Sequence, residues 1–241
     1  MQRSHHLSVP LISAHRGQCG VAGLPAAERF RRAIALGVDY VEFDVRHTAD
    51  GVNVIYHDPN TASGRAIRDL SYAELANELG PESLTLDELF DLAAGRVGLH
   101  LDLKEAGYEA DIVRLVLARC PLDRFVITGA DDVIRTIKEQ FPNLRAGLTL
   151  GENVTGLAPW LTVGKRLGEL FPRRRLERCH ADFTSVHHQL ARARVLAYCA
   201  RRRMPAWVWT VDEEAEIARF MKDPRVAVLI TNRPDIALPL R

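Results

Sequence analysis

A (β/α)8 TIM barrel with a small β-hairpin inserted after the second strand is the fold this sequence predicts, on three observations. Eight short apolar runs recur along the 241 residues, most are followed by a stretch of helical periodicity, and no linker or change of composition divides the chain. Strands alternating with helices at this length point to a closed parallel barrel. An open doubly wound sheet is the competing arrangement. It announces itself with a GxGxxG turn, which HRGQCG after the first run lacks. Residues 1–241 are therefore read as one domain.

The elements follow in order. PLISA (10–14) leads into PAAERFRRAIALG, which sets Phe30, Ala33, Ile34 and Gly37 on one stripe and closes on glycine. YVEFDV (40–45) alternates Val41, Phe43 and Val45 with Glu42 and Asp44, so the two carboxylates share one face of a strand. A turn and the return strand VNVIY, ending in His57-Asp58, make the hairpin of 46–58. TLDELFDLAAG opens with Thr85 as N-cap and Glu88 three residues on, a capping box, and stops at Gly95. VGLHLDL (97–103) is the third strand, and it places His100, Asp102 and Lys104 on one face. FVITG (125–129), LRAGLTL (144–150), ADFTSV (181–186), AWVWTV (206–211) and VAVLIT (226–231) complete the eight. DDVIRTIKEQF and VDEEAEIARFM read as helices whose acidic first turns suit the helix dipole.

Composition excludes several classes of function. The formal net charge of +1 supplies no field for nucleic acid. No run approaches the roughly twenty apolar residues that span a bilayer, and the N-terminus carries no apolar core of a signal peptide. Cys19, Cys120, Cys179 and Cys199 are scattered without CxxC spacing, as free thiols of a cytoplasmic protein are.

Active sites of barrels gather at the C-terminal ends of the strands, and the unusual polar residues sit there. The first strand delivers His15 and Arg16, the second Glu42 and Asp44, the hairpin His57, and the third Asp102 and Lys104. Each alone reads as a salt bridge or a satisfied core group; together they do not. Three carboxylates in a low-dielectric mouth raise one another's pKa unless a cation neutralises them. Hard oxygen ligands without a thiolate suit one divalent cation, Mg2+ or Ca2+. Such an ion polarises a phosphoryl oxygen. Arg16 and Lys104 offer charge to the remaining anionic oxygens, and His15 and His57 can divide general acid and base work. The substrate expected is a small-molecule phosphodiester.

HRG after the first strand, ExD in the second and DGVNVIYHD behind it resemble the glycerophosphodiester phosphodiesterase family. LDLKE is similar to the family's third-strand acid-x-Lys motif, and WVWTVDEEAE and VLITNRPD to its closing segments, so the resemblance covers nearly the whole chain. It implies a metal-dependent (β/α)8 hydrolase in which His15 and His57 are acid and base. By the same resemblance Glu42, Asp44 and Asp102 hold the metal, and Arg16 and Lys104 meet the phosphate. Which imidazole is acid and which base stays open.

Two departures bear on substrate. AGLPAAE stands where the family has PENT after HRG, and the third-strand acid is Asp102 where most members have Glu. The sphingomyelinase D-like phospholipases of spider venoms share both features. The alternatives are therefore a lysophospholipase D or cyclising lyase, an agrocinopine-type sugar phosphodiesterase, and a non-catalytic phosphate-binding barrel.

Trp209, in the WVWT segment, is a candidate wall of the substrate pocket. His100 reads as a buried hydrogen-bonding group and Asn232 as a strand-end structural residue, while His5, His6, His47, His180, His187 and His188 read as surface or loop histidines. The segment 156–178 mixes Trp160, Leu161, Leu167, Leu170 and Phe171 with basic residues. It predicts a helix packed on the barrel with a solvated basic face, or else a membrane-surface or subunit contact.

Overall fold

The computed structural model describes residues 9–151 and 158–241, so His5, His6 and the start of the 156–178 segment lie outside the described residues. Nine strands occur among them: β1 (Leu11–Ala14), β2 (Tyr40–His47), β3 (Asn53–Ile55), β4 (Gly98–Leu103), β5 (Phe125–Gly129), β6 (Ala146–Leu150), β7 (Phe183–His187), β8 (Ala206–Trp209) and β9 (Val226–Thr231). All but β3 pair in parallel in the order β1-β9-β8-β7-β6-β5-β4-β2, and a further β1–β2 pairing closes the ring. The barrel of the sequence reading is present, with strand ends displaced by at most two residues.

The hairpin is present too. β3 runs antiparallel to the end of β2, with Val45 opposite Ile55 and His47 opposite Asn53. The excursion is longer than the hairpin, however. It continues into the helix Tyr72–Leu79, capped by a Ser71–Glu74 box, and builds its own small core from Val54, Ile67, Leu70 and Leu75.

Local chemistry accounts for the helices read from sequence. The helix Ala26–Leu36 buries Ala26, Phe30 and Ala33 and ends at Gly37, whose φ of 83° is left-handed. In the box that opens Leu86–Ala93, Thr85 Oγ1 accepts from the Glu88 amide at 3.2 Å and Glu88 Oε2 accepts from the Thr85 amide at 2.8 Å.

Strand alternation divides the apolar residues between two cores. Val41, Phe43, Val45, Leu99, Leu101 and Leu103 face outward against the helices. Inside the barrel Val126, Phe183, Trp207, Val228 and Ile230 form a separate apolar floor. Trp207 stacks on Phe183 at 4.8 Å, and His100 meets it edge-on at the same distance. Phe183 fits because residue 147 is glycine: a Cβ there would stand 2.3 Å from the ring. Gly147→Ala should cost about 1–3 kcal/mol by overpacking, seen as a lower thermal unfolding midpoint. An unchanged midpoint would show that the floor is loosely packed.

Candidate active site

The site begins with a strained turn. Arg16, directly after β1, has φ 50° and ψ 36°, and Gly17 follows at φ 64°. A non-glycine residue in this region costs roughly 1 kcal/mol. At Gly17 a Cβ would lie 2.5 Å from the Phe30 ring, so glycine is demanded by conformation and by space. The turn aims the Arg16 amide at Glu42 Oε2, 2.8 Å away, and brings its Nε to 3.1 Å from Asp44 Oδ2.

In the parallel register Glu42 lies opposite His100 and Asp44 opposite Asp102. Three carboxylates thus project into the barrel from neighbouring strands, all buried, with one oxygen of each within 4.8 Å of the others. Lys104, one residue past β4, sits between two of them. Its Nζ is 3.0 Å from Asp44 Oδ1 and bonds Asp102 Oδ2. Burial pushes the Glu42 carboxyl well above the usual range, and the charges of Asp44 and Asp102 push it further. Burial also pushes Asp102 up, but Lys104 and the Thr128 hydroxyl, donating at 2.7 Å, outweigh it and hold the carboxyl low. Burial depresses the Lys104 ammonium, and its two aspartates more than reverse this.

These residues fit a divalent cation. The donors are hard oxygens, and Asp44 Oδ2 is buried without a hydrogen bond, since Arg16 Nε stands at ion-pair distance but out of line. Among the described residues no other group of acids, histidines or cysteines is so placed.

The two histidines differ in their partners. His15 donates from Nδ1 to Asn232 Oδ1 at 2.8 Å, which leaves Nε2 as the ring's acceptor. Asn232 is held in turn by Asp212, which accepts from its side-chain amide at 2.7 Å and from its backbone amide at 2.8 Å. Burial, and then the charge of Arg16, lowers the His15 pKa to about 4, so the ring is neutral at neutral pH. His57 pairs through Nδ1 with Asp58 Oδ1 at 2.7 Å, and this bond holds the Asp58 carboxyl below its usual range. The His57 carbonyl accepts from Arg46 Nε at 2.9 Å and Nη2 at 2.7 Å, while Arg46 Nη1 bonds Glu105. The hairpin is therefore fastened where it carries the imidazole.

A cavity of about 550 Å³ joins these groups: His15, Arg16, Glu42, Asp44, His57, Asp102, Lys104 and Trp209 all line it. Every candidate residue read from the sequence converges there. Trp209 forms an apolar side of it and meets the His187 ring edge-on at 5.2 Å. His100 lies deeper, with Nε2 donating to Thr128 Oγ1 at 3.0 Å, in the buried structural role expected of it.

A family model for the glycerophosphoryl diester phosphodiesterase family matches residues 15–115, the span that holds all of these candidates except Trp209. A glycerophosphodiester phosphodiesterase of Caldanaerobacter subterraneus subsp. tengcongensis is 24% identical over 95% of this chain and 97% of its own. Residues 15–115 thus carry the pattern of the glycerophosphodiester phosphodiesterase family, and the chain resembles a member of it along nearly its whole length. Proteins of that name are phosphoric diester hydrolases. The fold agrees: a crystal structure of a glycerophosphodiester phosphodiesterase from Parabacteroides distasonis superposes with a TM-score of 0.77, at 22% identity and with 97% of each chain covered. An Oleispira antarctica phosphodiesterase solved in complex with the product sn-glycerol-3-phosphate also gives 0.77, at 18% identity over 96% of each chain.

Sequence reasoning missed several residues of this site. Arg46 continues the Glu42–Asp44 alternation by one step, so it was findable, yet no pattern linked it to the His57 carbonyl. Asn232, taken for a strand-end residue, orients His15 from 217 positions away. His187, taken for a surface or loop residue, lines the cavity.

Proposed function

We propose that this chain hydrolyses a glycerol- or polyol-phosphate diester to an alcohol and a phosphomonoester such as glycerol 3-phosphate. His15 and His57 would exchange the protons, and Glu42, Asp44 and Asp102 would hold Mg2+ or Ca2+. The observation that carries this reading is the convergence of two imidazoles, two cationic side chains and an acidic triad on one cavity. A site that only bound phosphate would have no use for paired proton carriers. The glycerol 3-phosphate in the Oleispira antarctica phosphodiesterase supports the glycerol side of the substrate. The four cysteines are buried free thiols, which suits a reducing compartment and supports a cytoplasmic enzyme.

In this reading Arg16 and Lys104 meet the non-bridging oxygens of the diester. His15, neutral and with Nδ1 committed to Asn232, presents Nε2 to take the proton of the nucleophile. That nucleophile is water or a neighbouring hydroxyl of the substrate, the latter passing through a cyclic phosphate. His57, oriented through Nδ1 by the Asp58 carboxylate, is placed to return a proton to the leaving alcohol. Trp209 gives the organic part an apolar wall. When bound, a divalent cation supplies Lewis-acid polarisation of a phosphoryl oxygen.

Dialysis against excess EDTA should abolish turnover of glycerophosphodiesters, and Mg2+ or Ca2+ should restore it. Undiminished turnover after dialysis would remove the cation from the mechanism. Phosphorus NMR of the products should show a phosphomonoester; a cyclic phosphate as end product would move the chain to the cyclising lyases.

A further inference from the structure

The helix Pro159–Leu170 turns its apolar side to solvent. Trp160, Val163, Leu167 and the adjoining Phe171 are 74, 59, 52 and 55% exposed, and spacings of three and four residues set them on one stripe. The other large exposed apolar residues among those described, Val21, Leu36, Leu117, Leu122 and Leu240, are scattered. This overturns the expectation of a basic face out and an apolar face packed. Only the following helix, Arg173–Cys179, packs in that way, through Leu176 and Cys179.

The stripe is fastened to the rim of the catalytic cavity. On the far side of the helix Glu169, 1% exposed, accepts from the Gly151 amide at 3.0 Å and from Arg166 at 2.6 Å, and Gly151 lines the cavity. The surroundings are basic. Residues 159–178 hold six Lys and Arg against two Glu, in a chain whose net charge is +1. The Arg194 guanidinium lies over the Phe171 ring at 4.2 Å, and Arg174, three residues after Phe171, is exposed.

We propose that this stripe docks the enzyme on an anionic lipid–water interface, with the cavity mouth beside the membrane. An apolar helix face ended by tryptophan and flanked by arginines matches the layers of such an interface in order. A second copy of the chain fits less well, because a two-fold contact through the stripe would bring like arginines together. The inference goes beyond the catalytic reading, and its test reads binding without turnover.

Purified protein should sediment with vesicles of phosphatidylcholine mixed with phosphatidylglycerol roughly thirtyfold better than with phosphatidylcholine alone, from two arginines near an anionic surface. Salt should weaken the binding. Trp160→Ser with Leu167→Ser should abolish it while the thermal midpoint stays unchanged, since both residues are exposed. No binding to anionic vesicles, or equal binding by the double variant, would overturn the proposal. So would concentration-dependent dimerisation in the ultracentrifuge that the double variant removes, without vesicle binding. That result would assign the stripe to a second copy.

Discussion

Replacing His57 by alanine should lower turnover of an alkyl phosphodiester about 10²–10⁴-fold, and His15→Ala should do the same. The double variant should be little worse than either, because groups that share one proton-transfer cycle act as a unit. A p-nitrophenyl diester separates their roles, since p-nitrophenolate leaves without a proton. His57→Ala should recover much of its rate on that substrate, and His15→Ala should not. The assignment rests on the contrast of partners: His15 is buried, neutral and committed to an amide oxygen, whereas His57 faces a carboxylate. Equal rescue of both variants, or of neither, would dissolve this division of labour. Full activity in either would discard the mechanism.

Glu42→Gln and Asp102→Asn should part company in stability while both lose activity by at least about 100-fold, the upper end of what changing a group that merely orients a metal ligand costs. The sequence reading expects mutual repulsion among all three carboxylates alike. The structure concentrates that effect at Glu42. Its carboxyl is raised by burial and by two aspartates, so its ionisation opposes folding as pH rises above the ordinary glutamate range. Glu42→Gln should therefore leave the metal-free protein as stable or more stable at neutral pH. Asp102 is depressed through Lys104 and Thr128, so it contributes stability above the ordinary aspartate range that is lost as pH falls. Asp102→Asn breaks a buried pair and should lower the metal-free unfolding midpoint. Unfolding scans of the two variants, with and without cation, decide the point. A lower midpoint for Glu42→Gln than for Asp102→Asn would contradict this electrostatic picture.

Much of the site was legible because strand alternation is local. Glu42 with Asp44, and Asp102 with Lys104, declare a shared face within three residues, and the barrel rhythm says which end they occupy. What could not be read depends on closure. The β1–β9 pairing brings Asn232 to His15, and no local pattern contains that contact. The helix Pro159–Leu170 failed for another reason: periodicity finds an apolar stripe but does not say whether the stripe faces in or out. The helix beyond the hairpin carries a local signal of its own, since Ser71 and Glu74 spell the same capping box that Thr85 and Glu88 do.

The Arg46 clamp on the His57 carbonyl also decides where relatives of this chain can differ in length. At the hairpin tip Ala49, Asp50 and Gly51 are exposed, and extra residues there would leave the Val45–Ile55 register untouched. Between Asn53 and His57 a single added or lost residue would swing the imidazole to the opposite face and pull its carbonyl away from the guanidinium. Gaps in an alignment of functional relatives therefore belong at the tip, and a gap four residues later marks a chain that has given up this histidine.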